Sequence, residues 1–182
     1  MTFLLSNDEN GLENIPIPDS PKYLYDPIRY SIRAEGKRFR PILLHLAGRA
    51  NNVDSDALMD MSLAIELLHN FTLVHDDIMD NDIMRHGKKT IHEKWDLSTA
   101  ILSGDGIYTI SQIVLSQLPV MVSDVLRYFN KTTLEICEGQ ALDKDFENNL
   151  LITEDMYLNM INKKTGALLG ASAALPLIYK GE

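Results

Sequence analysis

Cysteine is almost absent from the chain: Cys137 is the one thiol in 182 residues, so no disulfide can form within it. Such usage suits a reducing compartment, and the cytoplasm is the expected location. A net basic surface is missing as well. The 17 Lys and Arg stand against 26 Asp and Glu, a formal charge of −9. That balance excludes nucleic acid as the main partner, because its phosphates would find no net positive field. No basic stretch leading into an apolar run opens the sequence, so no signal peptide is expected. The longest apolar run, Ala167 to Tyr179, is shorter than the ~20 residues that cross a bilayer and contains Pro176. It reads as a core helix, with no stable membrane insertion.

Several chemistries are excluded by missing motifs. Ser103-Gly104-Asp105-Gly106 lacks the spacing of a phosphate-binding P-loop, and its small residues instead suit close helix packing. His92 to Asp96 ends in Asp where a zinc protease helix needs a second His. Asp80 to Arg85 fails as a calcium loop, with Met84 and Arg85 where a ligand and a Gly belong. No Gly-x-Ser-x-Gly elbow and no Ser or Cys with a paired base is found. Cys137 falls in an apolar helical pattern and reads as a buried small hydrophobe. His45 and His92 read as structural. No sustained alternation and no Asn-Gly or Asp-Gly turn occurs, so no strand is expected.

What is present is helical. Apolar residues make up 45% and charged residues 24%, as in an ordinary globular domain. Residues 1–20, acidic and broken by Pro16 and Pro18, read as a loose arm, and residues 21–182 as one domain. A first helix is expected over Pro21 to Ala34. Pro41 is expected to open a second running to about Ala50. Asp54 or Ser55 should cap a third, and residues 81–95 form a connector. Further helices are expected from Ser98 or Thr99 to Leu118, from about Asp124 to Glu147, and onward from a Thr153 cap. The fold class is all-α, an antiparallel bundle of long helices.

Two clusters carry chemistry. In Glu66 to Asp82, a helical advance of about 100° per residue puts His69, Asp76 and Asp80 on one stripe, with Asp77 beside them. Carboxylates so crowded repel one another unless a cation sits among them, and oxygen-only ligands one turn apart suit a hard ion such as Mg²⁺. His75 lies off that stripe and reads as packing, or as support behind the cluster, rather than as a ligand. Upstream, Gly36 should free the backbone while Lys37, Arg38 and Arg40 gather at a helix start, where free N–H groups add to their pull on a diphosphate. Arg85, His86, Lys88 and Lys89 follow the acidic cluster directly, which suits a metal-bridged phosphate.

The order and spacing of these pieces resemble the trans-isoprenyl diphosphate synthases, the polyprenyl synthetase family. Gly36-Lys37-Arg38-Phe39-Arg40-Pro41 is similar to its GGKRxRP, with Glu35 in place of the first Gly. Asp76-Asp77-Ile78-Met79-Asp80 resembles its first Asp-rich motif, and Met84-Arg85-His86-Gly87 through His92 its RRGxPTxH. Gly104-Asp105, Glu138-Gly139-Gln140 with Asp143, and Lys164-Thr165 resemble later stations. The resemblance implies that Asp76 and Asp80 ligate Mg²⁺ on an allylic diphosphate, with Asp77 in support. Arg85 and Lys164 would bind that diphosphate, with Thr165 and Gln140 nearby. Lys37, Arg40, His69 and, where the family has a second Arg, His86 would hold isopentenyl diphosphate. The implied reaction is ionisation of the allylic C–O bond, attack by the isopentenyl double bond and loss of a proton, in an enzyme that is commonly a homodimer.

Phe71, five residues before Asp76, with the small Thr72 after it, resembles the floor of short-chain enzymes that make C20, with C15 the neighbouring product. The family continues with a second Asp-rich motif and further helices that this chain does not contain, so a fragment is expected rather than a short homologue. Two rival functions fit less well. A class I terpene cyclase has no use for the Lys37–Arg40 cluster. A non-catalytic subunit of a heteromeric synthase would usually have lost the first Asp-rich motif.

Overall fold

The computed structural model describes Leu12 and residues 15–34, 36–147, 149 and 151–182. The elements run α1 (Lys22–Ile32), α2 (Phe39–Ala50), α3 (Ser55–Asp80), β1 (Met84–Arg85), β2 (Lys88–Lys89), α4 (Ile91–Lys94), α5 (Leu97–Ser116), α6 (Val122–Phe146), α7 (Glu154–Ile161), a π-helical turn (Asn162–Gly166) and α8 (Ala167–Lys180). Caps explain the helix starts. The Asp54 carboxylate accepts from the N–H groups of Asp56 and Ala57, Asp96 from Thr99, and Thr153 from Met156. Each satisfies backbone donors that a helix N-terminus leaves without partners. Asp96 is the cap where Ser98 or Thr99 was expected, because its carboxylate reaches three residues forward.

α3 is apolar on most of its circumference, and it is buried accordingly. Leu58, Met61, Ala64, Ile65 and Leu68 join Leu44, Phe129, Leu168 and Leu175 in one core between α2, α6 and α8. Leu63, Leu67 and Val74 join Ile28, Ile32, Ala100 and Ile107 in a second, between α1 and α5. Phe71 touches both. By length and composition alone α3 would cross a bilayer, but 67% of its apolar window is buried inside the bundle. Its apolar character therefore reflects the core.

Small residues set the closest approaches. A Cβ on Gly104 would fall 2.2 Å from the His75 ring, and one on Gly106 2.7 Å from Ile28. The expected close packing at this stretch is found. Gly139 admits an approach the sequence did not reveal: its Cβ would lie 2.3 Å from the backbone nitrogen of Lys164. The π-helical turn, which breaks what reads as one continuous helix after Thr153, thus rests directly on α6.

Other expectations are corrected. A two-stranded antiparallel ladder exists, pairing Met84 with Lys89 and Arg85 with Lys88. Its turn is made by His86 (φ 49°) and Gly87 (φ 75°), the left-handed pair that a tight hairpin requires. The left-handed residue before α2 is Arg38 (φ 47°), not Gly36, and α2 begins at Phe39 with Pro41 its third residue. Cys137 is exposed rather than buried. Of the N-terminal 20 residues, 1–11, 13 and 14 lie outside the described residues. Leu12, Ile15 and Ile17 pack against the second core, and Arg29 bonds the Pro18 carbonyl and the Asp19 carboxylate.

The two kinds of glycine give opposite predictions. Gly139→Ala should lower unfolding stability by about 1–3 kcal/mol through overpacking against backbone. Gly170, on α8 with no heavy atom within 4 Å of its virtual Cβ, should gain about 0.5–1 kcal/mol on replacement by Ala. Urea unfolding of both variants checks this; equal effects would contradict the packing described.

Candidate active site

Asp76, Asp77 and Asp80 sit in the last turns of α3, where the helix dipole is negative and no basic residue of the helix offsets them. The compensation comes from other elements. Lys144 Nζ on α6 reaches Asp80 Oδ1 at 2.9 Å and Glu147 Oε1 at 2.6 Å. Lys164 Nζ on the π-helical turn reaches Asp143 Oδ2 at 2.6 Å and lies near enough to Asp76 to favour its charged form. Burial nevertheless pushes the Asp76 carboxyl up, with Asp80 adding to the rise. Lys163 is occupied by Glu138. Thr165 is exposed on the same turn.

Asp77 points elsewhere. It is buried and paired with Arg85, which also donates to Asp82 at 3.0 Å. Its part is therefore to hold Arg85, not to join Asp76 and Asp80. The hairpin is anchored further by Thr90, whose hydroxyl donates to the Asp82 carbonyl at 2.7 Å, and by Tyr30, whose hydroxyl donates to the Lys89 carbonyl at 2.8 Å. These ties fix His86 at the hairpin tip.

His86 lines a separate pocket of ≈ 640 Å³ with Gly36, Lys37, Arg38, Phe39, Arg40, Glu66 and His69. The three cations expected to act together here divide their work. Arg38 is buried against Glu66 and the Ala34 carbonyl, so its charge is spent within the fold. Lys37 stays exposed. Arg40 Nη1 lies 3.2 Å from His69 Nε2. A guanidinium can only donate, so Nε2 accepts and the ring is neutral with its proton on Nδ1. Burial, then the neighbouring Arg40, Arg38, Arg85 and His86, push the His69 pKa down to about 3.

On another side of α3, Phe71, Thr72, His75, Asp76 and Met79 face Ile136, Cys137, Gln140, Ala141 and Lys144 of α6 across a cavity of ≈ 260 Å³. Its lining is largely apolar, and Asp76 contributes its carboxylate. Gln140 is buried and its Oε1 has no hydrogen-bond partner. Phe71 packs its ring on His75 (4.7 Å between centroids) and Tyr108 (5.2 Å). His75 does serve packing, between Phe71 and Gly104.

A polyprenyl synthetase model matches residues 21–182. The chain belongs to the polyprenyl synthetase family. It is 43% identical over 164 residues to a geranylgeranyl diphosphate synthase of Methanosarcina mazei, covering 88% of this chain and 51% of that one. It is 41% identical over 159 residues to a short chain isoprenyl diphosphate synthase of Methanocaldococcus jannaschii, covering 86% and 48%. The solved geranylgeranyl pyrophosphate synthetase of Geoglobus acetivorans matches with a TM-score of 0.92 at 37% identity, covering 99% of this chain and 61% of that one. The chain thus spans about half the length of the curated relatives it matches.

Among the described residues, no three His, Cys, Asp or Glu side chains converge into a ready cage. Mg²⁺ needs none: it is commonly held by one or two carboxylates, with waters and substrate phosphates completing its shell. Asp76 and Asp80, one helical turn apart and without sulfur or imidazole beside them in a ligating role, fit that requirement. Sequence reasoning missed Lys144 and Tyr30. Each acts through a partner far away in the chain, Asp80 at 64 residues and Lys89 at 59, so no local pattern marks it.

The neutral His69 has a pH consequence. Its folded pKa of about 3 lies below the ordinary 6.5, so the unfolded chain takes up the proton first. Its stabilising contribution is full above pH 6.5 and is lost as pH falls toward 3, by about 1 kcal/mol per pH unit. His69→Asn should flatten the fall in stability between pH 7 and 5; an unchanged slope would mean the imidazole is not held neutral.

Proposed function

We propose that the protein is a trans-prenyltransferase. It condenses isopentenyl diphosphate with an allylic diphosphate (dimethylallyl, geranyl or farnesyl) to a short-chain prenyl diphosphate, C20 favoured over C15. The observation that carries this reading is a pair of distinct anion sites sharing one helix. Lys37, Arg40, His69 and His86 surround one pocket, while Asp76 lines an apolar cavity and has Asp80, Arg85 and Lys164 close enough to act on its charge. A terpene cyclase takes one diphosphate and would leave the first pocket without a use. The names of the two relatives, geranylgeranyl diphosphate synthase and short chain isoprenyl diphosphate synthase, support the same chemistry and product range.

In this reading isopentenyl diphosphate lies against Lys37 and Arg40, with His69 and His86 as neutral or proton-dependent contacts. The allylic diphosphate lies against Arg85 and Lys164, near Thr165 and Gln140, and its hydrocarbon fills the cavity that Phe71 closes. Asp76 and Asp80 would hold Mg²⁺, which supplies charge neutralisation for the departing diphosphate. Arg85, oriented by Asp77 and Asp82, and Lys164 add preorganised positive charge where negative charge develops as the allylic C–O bond breaks. The isopentenyl double bond attacks the allylic carbon, and a proton leaves the isopentenyl unit. No protein nucleophile takes part. The protein is further read as a cytoplasmic homodimer, a state supported by the exposed Leu97, Ile101, Leu102 and Ile113 on α5.

The test is an assay of the full-length protein with Mg²⁺, isopentenyl diphosphate and each allylic diphosphate, with products identified by chain length. Turnover is expected, with Asp76→Asn lowering kcat about 100-fold or more. Arg40→Ala should act mainly on the KM for isopentenyl diphosphate. An intact, folded protein without turnover would instead point to the non-catalytic subunit.

A further inference from the structure

Against Phe71, which lines the apolar cavity, stands a second aromatic ring. Tyr108, from α5, does not line the cavity that Phe71 lines, but its ring centroid lies 5.2 Å from that of Phe71 at an interplanar angle of 38°. The side chain is also tied down. Its hydroxyl donates to Asn130 Oδ1 on α6. Gln112 Nε2 donates to the same oxygen at 2.9 Å, and Asn130 Nδ2 donates back to Gln112 Oε1 at 3.2 Å. This clasp joins α5 to α6 beyond the cavity and holds the tyrosine ring against the back of Phe71.

The spacing has a chemical meaning. Each isoprene unit adds four bonds to a prenyl chain, and an extended chain gaining ~1.2 Å per bond, as a polypeptide does, lengthens by about 5 Å per unit. The two rings are therefore about one C5 unit apart. We propose that Tyr108 is a second product-length determinant, one C5 unit behind Phe71 and held there by Asn130 and Gln112. The proposal rests on the prenyltransferase reading above. It makes the two positions act in series. Removing Tyr108 alone changes nothing about length, because Phe71 still stops the chain. Removing Phe71 alone admits one more unit before the chain meets Tyr108. Removing both opens the way further.

The experiment compares products of the full-length protein and its Tyr108→Ala, Phe71→Ala and Phe71→Ala/Tyr108→Ala variants, with isopentenyl diphosphate in excess over the allylic primer. The expected longest major products are the parent length, the parent length, one C5 unit more, and at least two units more. Chain length is read from the product itself, so a partly folded variant loses yield without moving the readout. Phe71→Ala/Tyr108→Leu, which keeps an apolar side chain at the second position, serves if the double alanine variant does not fold; it too should exceed Phe71→Ala. A double variant that stops where Phe71→Ala stops, in an active enzyme, overturns the second barrier alone. A parent protein that makes no prenyl diphosphate overturns the prenyltransferase reading, and the second barrier with it.

Discussion

Three carboxylates at the negative end of one buried helix form the constraint from which the arrangement follows. Asp76, Asp77 and Asp80 gain nothing from the dipole of α3 and repel one another. Each is met by a cation from a different part of the chain: Asp77 by Arg85 of the hairpin, Asp80 by Lys144 of α6, and Asp76, at longer range, by Lys164 of the π-helical turn. The hairpin, α6 and the turn after α7 are thus drawn to one place by charge as well as by packing. α3 cannot move aside, because its other faces are sealed into two cores. A helix placed for its apolar sides consequently presents its acidic end to a site that needs cations.

The second anion pocket follows a different logic, set by desolvation. A buried guanidinium needs a partner, and Arg38 has one in Glu66. Two residues on, Arg40 has, among the described residues, the imidazole of His69 within hydrogen-bond reach, and that ring stays neutral because burial and nearby cations disfavour a further charge. The pocket therefore retains positive charge that is not cancelled inside the protein. Two arginines two residues apart in sequence have different fates because one turns inward in a left-handed conformation and the other continues the helix.

Much of this was legible in advance. The all-α class, the caps at Asp54 and Thr153, and the close packing at Gly104 and Gly106 rest on local rules, and the structure bears them out. The stripe of His69, Asp76 and Asp80 follows from helical periodicity alone. The failures share a cause. Cys137 was read from an apolar pattern, but α6 faces an open cavity at that point instead of the core. The hairpin escaped notice because its turn uses His86-Gly87 in place of the Asn-Gly or Asp-Gly pair that marks such turns. The break at Asn162–Gly166 has no Pro or other local signal, and shows only in the fit of the turn onto Gly139.

The sequence by itself determined what is periodic or local: helices, their starts, and a Lys–Arg cluster and an Asp cluster whose spacing carries a family resemblance. Only the tertiary structure decided which of those charges remain available. Arg38 and Arg40, or Asp76 and Asp77, are equivalent as letters, but one of each pair is committed to a partner 28 or 8 residues distant. The physical reason is that charge pairing and desolvation depend on distance in space, and residues such as Lys144 and Lys164 approach α3 only after its apolar faces have been buried.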